Sequence, residues 1–114
     1  MASKGIVDDC GTIRDIYKDV PADFHAKAIA AIAELENNEN HKKHEFPISQ
    51  IHLMTNIKGD DKVYRFYIDK ITGWRVMAKY GKDKRLHLCG VCDPSYHDDA
   101  NKYYKSHRVN FKVD

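Results

Sequence analysis

The feature that most constrains this chain is a run of three alternating segments in its second half. They span Val63–Asp69, Trp74–Tyr80 and Arg85–Cys92, and each alternates between two sets of side chains. A period of two is typical of strands with one buried face. The connections Asp69–Gly73 and Gly81–Lys84 both contain Gly with Asp or Thr, which suits short hairpin turns. The sequence therefore predicts a three-stranded antiparallel meander.

Alternation also divides the side chains of the meander between two faces. The more apolar face would carry Tyr64, Phe66, Trp74, Val76, Leu86 and Leu88. The opposite face would carry Arg65, Tyr67, Arg75, Met77, Lys79 and His87. We expect helices to cover the first face and leave the second open. Cations that are cross-strand neighbours repel one another, so their grouping is more easily explained if an anion binds there.

Helical periodicity precedes the meander. Thr12 is a suitable N-cap for a short helix that Pro21 ends. Pro21 also opens a second helix, which an apolar stripe extends to about Asn38. The polar segment His41–His44 resembles a metal or phosphate cluster, but an exposed linker is the favoured interpretation.

The remaining segments carry weaker patterns. Ile6 and Val7 fit either a short strand or a frayed end, and Phe46–Ile57 fits an extended segment beside the meander. We expect a last helix or irregular segment within His97–Ser106 and an extended piece at Val109–Val113. Together these patterns predict an α+β fold, with an N-terminal helical hairpin packed on one face of an antiparallel β-meander, in a single domain spanning residues 1–114.

Positive charge is concentrated on the meander. Residues 58–92 hold nine Lys or Arg against four Asp or Glu, whereas residues 1–57 hold six against nine. A basic patch favours an anionic partner, most often RNA or DNA. Lysines at strand edges also keep a sheet soluble and block edge pairing, so charge alone leaves both explanations open.

Apolar runs and cysteines bear on the location of the protein. No apolar run approaches the length of a membrane span, and Met1–Asp9 lacks the apolar core of a signal peptide. The three cysteines have no disulfide-scaffold spacing, which fits a reducing compartment. We therefore expect a cytoplasmic protein that does not associate with membranes.

The order of these segments resembles the RelE/ParE toxin superfamily. The likeness rests on the strands VYRFYI (Val63–Ile68) and GWRVM (Gly73–Met77), and it extends over about residues 12–105. Members of that superfamily are the toxins of toxin–antitoxin pairs. The RelE, YoeB, YafQ and HigB branches are mRNA interferases that often cut mRNA in the ribosomal A site, whereas the ParE branch poisons gyrase. The resemblance implies a RelE-like fold, mRNA on the ribosome as substrate, and a cognate antitoxin as protein partner.

The same resemblance implies site residues. Arg65 and Arg75 match the cations of the family's first and second meander strands, and Tyr67 falls where RelE has a second lysine. Tyr96 and His97 occupy the region after the last strand, where the family keeps its catalytic Tyr or His. No arginine follows in that region, although RelE has one there.

Metal-independent cleavage of RNA needs a base, cations and an acid. The base takes the proton of the ribose 2′-hydroxyl, the cations stabilise the pentavalent phosphate, and the acid protonates the leaving 5′-oxygen. Arginine suits the phosphate because its planar fork stays charged. His97 suits the base or acid, His87 competes for that role, and Tyr67 or Tyr96 could stack on a base or donate a proton. We expect no cofactor and no metal. The expected RNA-binding residues are Lys58, Lys62, Tyr67, Lys79, Lys84 and Arg85.

Two other functions stay open. One is a ParE-like protein that binds and inhibits a topoisomerase without catalysis. The other is a small zinc-stabilised module that binds RNA or protein through the CxxC pair Cys89 and Cys92, which is half a zinc site. Further ligands would come from Cys10, His87, His97 or Asp93. Regular alternation points the two cysteines to opposite faces, which favours two small apolar residues of a strand.

Overall fold

A computed structural model of the protein describes residues 5–54, 62–96 and 100–113 and contains a five-stranded mixed sheet. The strands are β1 (Ile6–Val7), β2 (His52–Leu53), β3 (Tyr64–Asp69), β4 (Trp74–Tyr80) and β5 (Leu86–Cys92). Their order across the sheet is β1-β5-β4-β3-β2. β1 is parallel to β5, and every other neighbouring pair is antiparallel. The predicted meander is confirmed as β3–β5, with bounds that agree to within one residue.

Four α-helices lie in the described part of the chain. They are α1 (Thr12–Asp19), α2 (His25–Glu36), α3 (Asn38–Lys43) and α4 (Ala100–Ser106). Short 3-10 helices occupy Ala22–Phe24, Pro94–Tyr96 and Arg108–Phe111. These helices and the sheet confirm the predicted α+β class. None of the described helices has the length and apolar content that crossing a membrane requires.

The first face of the sheet is covered by α1 and α2. The two helices present an apolar stripe to the sheet, which explains why they form amphipathic helices here. Thr12 is the first residue of α1 and not its cap; the carboxylate of Asp8 accepts hydrogen bonds from the backbone N–H groups of Thr12 (2.6 Å) and Ile13 (3.0 Å). The resulting core contains Ile16, Val20, Ala28, Ala31, Ile32, Leu35, Phe66, Ile68, Val76, Ala78, Leu86 and Leu88.

The second face of the sheet is not open throughout, so that prediction is wrong. Arg75 and Met77 are only 1% and 0% exposed. The chain after β5 returns over β4 and β5, and aromatic side chains from α4 and the segment Arg108–Phe111 pack on them. That last segment is a 3-10 helix and not the predicted extended piece. The second core contains Met54, Val63, Met77, Cys89, Cys92, Ala100, Tyr103, Tyr104 and Phe111.

We call the part of this face over β4 and β5 the covered half and the part over β2 and β3 the uncovered half. Alternation in a sequence identifies which side chains share a face, but not what packs on that face. The covering depends on contacts with a segment that follows the meander, which contributes the aromatic side chains Tyr103, Tyr104 and Phe111 to the second core.

A bulge in β5 changes the direction of its cysteines. Met77 pairs with Gly90 and Ala78 with Leu88, so Cys89 is an additional residue opposite β4. Gly90 has φ 134°, which other residues rarely adopt, and a Cβ at this position would collide with the Tyr103 hydroxyl. As a result both Cys89 and Cys92 are buried in the second core, and the prediction that they point to opposite faces is wrong.

The segment predicted to be an exposed polar linker is a helix with a buried histidine. His41 lies in α3 and is 2% exposed. Its Nε2 is 2.6 Å from the carbonyl oxygen of Leu35, and its Nδ1 is 2.9 Å from the Tyr80 hydroxyl. Burial raises the pKa of Tyr80 to about 12, so the hydroxyl stays protonated and donates to His41. Both ring nitrogens are therefore used within the core.

The extended segment predicted beside the meander contains β2. His52 pairs with Arg65 and Leu53 with Tyr64, which makes β2 an edge strand of the sheet. The apolar pattern of this segment suggests that its aliphatic side chains are all buried, but two of them are exposed. Ile48 is 55% exposed and Leu53 is 43% exposed.

Candidate functional site

Arg75 is part of the core and not of an open basic face. Its Nε donates to the Cys92 sulfur at 3.5 Å, and its Nη2 donates to the backbone carbonyl of Tyr96. Burial raises the pKa of the Cys92 thiol, against the opposing effect of the Arg75 and Arg65 charges. Arg75 thus holds β4 against the segment that follows β5.

Lys79 and His87 are also engaged away from the uncovered half. The Lys79 ammonium donates to the carbonyl oxygen of Phe111 at 3.0 Å and so anchors the covering segment. His87 Nε2 is 3.1 Å from each carboxylate oxygen of Asp83. His87 lines a cleft of about 560 Å³ together with Cys10 and Asn110. Neither Arg65 nor Tyr67 lines that cleft, so His87 does not share a site with them.

The two residues predicted after the last strand have different outcomes. The Tyr96 ring packs edge-on against Tyr103, with ring centroids 5.2 Å apart, and its carbonyl accepts from Arg75. His97 lies outside the described residues, and so does Lys58 among the predicted RNA-binding lysines. The other predicted cations Lys62, Lys84 and Arg85 are exposed.

Arg65 and Tyr67 are two predicted site residues that lie side by side and remain accessible. They project from β3 on the uncovered half, where both are partly exposed. The Arg65 guanidinium lies 5.3 Å from the centre of the Tyr67 ring, and the Lys70 ammonium lies 5.8 Å from it. Two cations and one aromatic ring therefore meet at the β2–β3 edge of the sheet.

His52 completes this group, and sequence reasoning missed it. The register of β2 with β3 places His52 opposite Arg65. Arg65 Nε and Nη2 lie 3.3 Å and 3.0 Å from His52 Nε2. The sequence does suggest that some side chain of this segment lies beside Arg65, because a strand at Phe46–Ile57 that pairs with β3 brings one of its side chains there. Only the register identifies which one.

Gln50 determines which ring nitrogen of His52 carries the proton. The Gln50 carbonyl oxygen lies 3.0 Å from His52 Nδ1, so Nδ1 is assigned as the N–H donor and Nε2 as the acceptor. Gln50 has φ 52°, in the left-handed region that few non-glycine residues adopt. Its side-chain oxygen accepts from Lys70 at 3.3 Å. We call Gln50, His52, Arg65, Tyr67 and Lys70 the edge cluster.

The edge cluster can bind an anion and exchange a proton. Within the described residues, no ion pair involves Arg65 or Lys70. Arg65 presents a fork that matches phosphate oxygens, and His52 presents an imidazole lone pair beside it. A bound phosphate would compete with His52 for Arg65, which would release the Nε2 lone pair for a proton.

Metal ligands are not grouped in the described part of the chain. No set of three or more His, Cys, Asp or Glu side chains that could hold a metal ion occurs there. Cys89 and Cys92 share one face, which brings them closer to the arrangement of a zinc ligand pair than alternation suggested, but their surroundings are the apolar and aromatic side chains of the second core.

Comparisons with known proteins add no relative. No family model matches the sequence, and no curated protein or solved structure is significantly similar to it.

Proposed function

We propose that the protein is a RelE-like toxin of a toxin–antitoxin pair, acting as a metal-independent endoribonuclease on mRNA at the ribosome. The observation that carries this proposal is the contact of His52 Nε2 with the Arg65 guanidinium at 3.0 Å, beside the Tyr67 ring. A proton acceptor, a phosphate-binding cation and a phenol hydroxyl that can donate a proton are the parts that this cleavage requires.

The arrangement of the elements supports a RelE-like fold in the same proposal. The two strands that carry the resemblance are β3 and β4, which are adjacent in the sheet. α1 and α2 precede them and pack on the first face. β1 provides an opening strand that pairs with β5.

In the proposed reaction, Arg65 turns from His52 to the scissile phosphate. His52 Nε2 then takes the proton of the 2′-hydroxyl, whose oxygen attacks phosphorus. The bond from phosphorus to the 5′-oxygen breaks, and the Tyr67 hydroxyl supplies the proton to that oxygen. The products are a 2′,3′-cyclic phosphate and a 5′-hydroxyl. His97, outside the described residues, is the competing proton donor.

Arg75 has a positioning role in this proposal. It lies opposite Tyr67 in the β3–β4 register and bonds the segment that carries Tyr96. In this role its guanidinium would hold the backbone next to Tyr67 in place and would not contact RNA.

The test is incubation of the purified protein with mRNA, with and without ribosomes and with EDTA, followed by mapping of fragment ends. We expect EDTA-resistant cleavage that falls at least about 100-fold in His52→Ala and in Arg65→Ala. His87→Ala is the matched control, because His87 lies in another cleft, and it should retain activity. If the wild-type protein leaves RNA intact in both settings, the nuclease proposal is wrong.

A second candidate is a ParE-like protein that inhibits a topoisomerase without catalysis. The burial of Arg75 favours it, because the arginine of the second strand is not offered to a substrate. Inhibition of DNA supercoiling by purified gyrase, with RNA left intact, would support this candidate. Inhibition that persists in His52→Ala would separate it further from the nuclease.

A further inference from the structure

A cavity of about 340 Å³ adjoins the edge cluster. It lies between α2, the segment before β2 and the end of β3, and its size falls in the range of small-molecule sites. Gln50, Tyr67 and Lys70 line it and also belong to the edge cluster. The cavity and the cluster therefore share a wall, and a single ligand could occupy both.

Two exposed isoleucines border this cavity. Ile71, in the turn between β3 and β4, is 93% exposed, and Ile48 is 55% exposed. A single exposed apolar side chain needs no explanation. Two on one cavity, beside Tyr67, form an apolar lining that a flat ligand could cover.

The charges around the cavity favour an anionic ligand. Lys27 and Asp69 line it as an ion pair, with Lys27 Nζ 2.9 Å from the Asp69 carboxylate. That carboxylate also accepts from the Thr72 N–H and hydroxyl, so its charge is compensated. Lys70 at the cavity and Arg65 beyond Tyr67 leave an excess of positive charge.

We propose that this cavity is a nucleobase subsite, which receives the base of a nucleotide whose phosphate lies on Arg65 and Lys70. This inference rests on the proposed function and adds the place where one base of the RNA substrate is recognised. Ile48 and Ile71 would pack on the base, and Tyr67 would lie between the base and the phosphate. The Gln50 amide supplies a donor and an acceptor for the edge of the base. An apolar side chain of a protein partner would use the isoleucines but neither the amide nor the cations.

The test measures binding of a cleavage-resistant single strand. The probe is a fully 2′-O-methylated RNA hexanucleotide of mixed sequence, together with six versions that each lack one base. For the wild-type protein we expect one abasic position to weaken binding by about fivefold to 100-fold, because each stacked base contributes on that scale. In Ile71→Ser, removal of the base at this position should no longer weaken binding. Removal of the base at each of the other five positions should change binding as it does in the wild-type protein.

Val109→Ser is the matched control. Val109 is also an exposed aliphatic residue, at 73%, but it lines the cleft that contains His87. This variant should show the wild-type dependence on the abasic position. Both substitutions lie on the surface, and the urea unfolding midpoint of each should match the wild type.

The outcomes separate the subsite from the proposed function. If the protein cuts RNA but all six abasic probes bind equally, the subsite is wrong and the nuclease stands. If one abasic position matters and Ile71→Ser removes its effect, yet natural RNA is not cut, the subsite stands and the nuclease is wrong. If Ile71→Ser keeps the wild-type dependence, or if no probe binds, the subsite is wrong. Binding of a protein partner that Ile71→Ser weakens, without RNA binding, would assign the cavity to that partner.

Discussion

Arg65 and Arg75 lie on neighbouring strands and on the same face of one sheet, yet their surroundings are opposite. Arg65, in the uncovered half, meets an imidazole and an aromatic ring at the sheet edge. Arg75, in the covered half, is 1% exposed and bonds a sulfur and a backbone carbonyl. The same residue type in the same pattern is therefore accessible in one half and part of the core in the other.

This comparison assigns different consequences to substitutions in the two halves. Changes in the covered half should lower the stability of the fold, because the second core depends on them. Changes of side chains in the uncovered half should alter the proposed RNA cleavage and change the free energy of unfolding little. Four sets of variants test this division.

Gly90→Ala should have the largest effect on stability. The new methyl group meets the Tyr103 hydroxyl, and φ 134° is unfavourable for alanine. We expect a loss of about 3 kcal/mol in the free energy of unfolding, measured in urea. Gly5→Ala is the control, because Gly5 also has positive φ (96°) but a Cβ there meets open space. Equal losses of stability in the two variants would show that close packing of Tyr103 of α4 on Gly90 of β5 does not contribute to the effect.

Arg75→Ala should be the next most destabilising change. It leaves a cavity and removes the donor of the Tyr96 carbonyl, and we expect a loss of about 2 kcal/mol. Arg65→Ala should stay within about 0.5 kcal/mol of the wild type, as at other surface positions. Unfolding curves of the two variants, measured together, test the comparison directly. Similar stabilities would contradict it.

Asp69→Asn should reveal that the carboxylate at the end of β3 makes a pH-dependent contribution to the free energy of unfolding. Hydrogen bonds from the Thr72 hydroxyl, Lys27 and the Thr72 N–H lower the pKa of Asp69 from 3.8 to about 2, against the effect of burial. A carboxyl with a lowered pKa stabilises the fold above pH 4, and this contribution is lost as the pH falls through 2. Asp69→Asn should cost about 1 kcal/mol at pH 7, with the difference shrinking as the pH falls below 4 and disappearing only below pH 2. A difference that does not change with pH would rule out this linkage.

Gln50→Gly should have the smallest effect and the opposite sign. Glycine adopts φ 52° without strain, although it adds freedom to the unfolded chain, so we expect a gain of about 0.5 kcal/mol. The backbone carbonyl that bonds His52 is retained, and nitrogen NMR should still find the proton on Nδ1. Gln50→Val, which disfavours positive φ, should lose both stability and that assignment.

The elements that sequence predicted well are those with strong local periodicity. β3, β4 and β5 were located to within one residue because the pleat repeats every two residues. The stripe of α2 followed from the helical repeat of 3.6 residues, and the apolar face of the meander followed from its two-residue alternation. The Gly90 bulge broke it, since one additional residue shifts the phase of every side chain after it.

The features that sequence did not predict depend on contacts between distant segments. His41 looked like part of a charged linker because its hydrogen bonds to Leu35 and Tyr80 form only in the folded protein. The burial of Arg75 depends on the chain that follows β5. His52 could be recognised only through its register opposite Arg65. The candidate site was thus half predicted, through Arg65 and Tyr67.

The parallel pairing of β1 with β5 has a consequence for the route of folding. Ile6 pairs with Leu86 and Val7 with His87, so this strand pair joins positions 80 residues apart. Contacts of such separation have a high loop-closure cost and form late. Until β1 arrives, β5 has an unpaired edge on which another chain could add a strand. Hydrogen exchange should therefore find the amides of β1 less protected than those of β4, and misassembly should begin at the outer edge of β5.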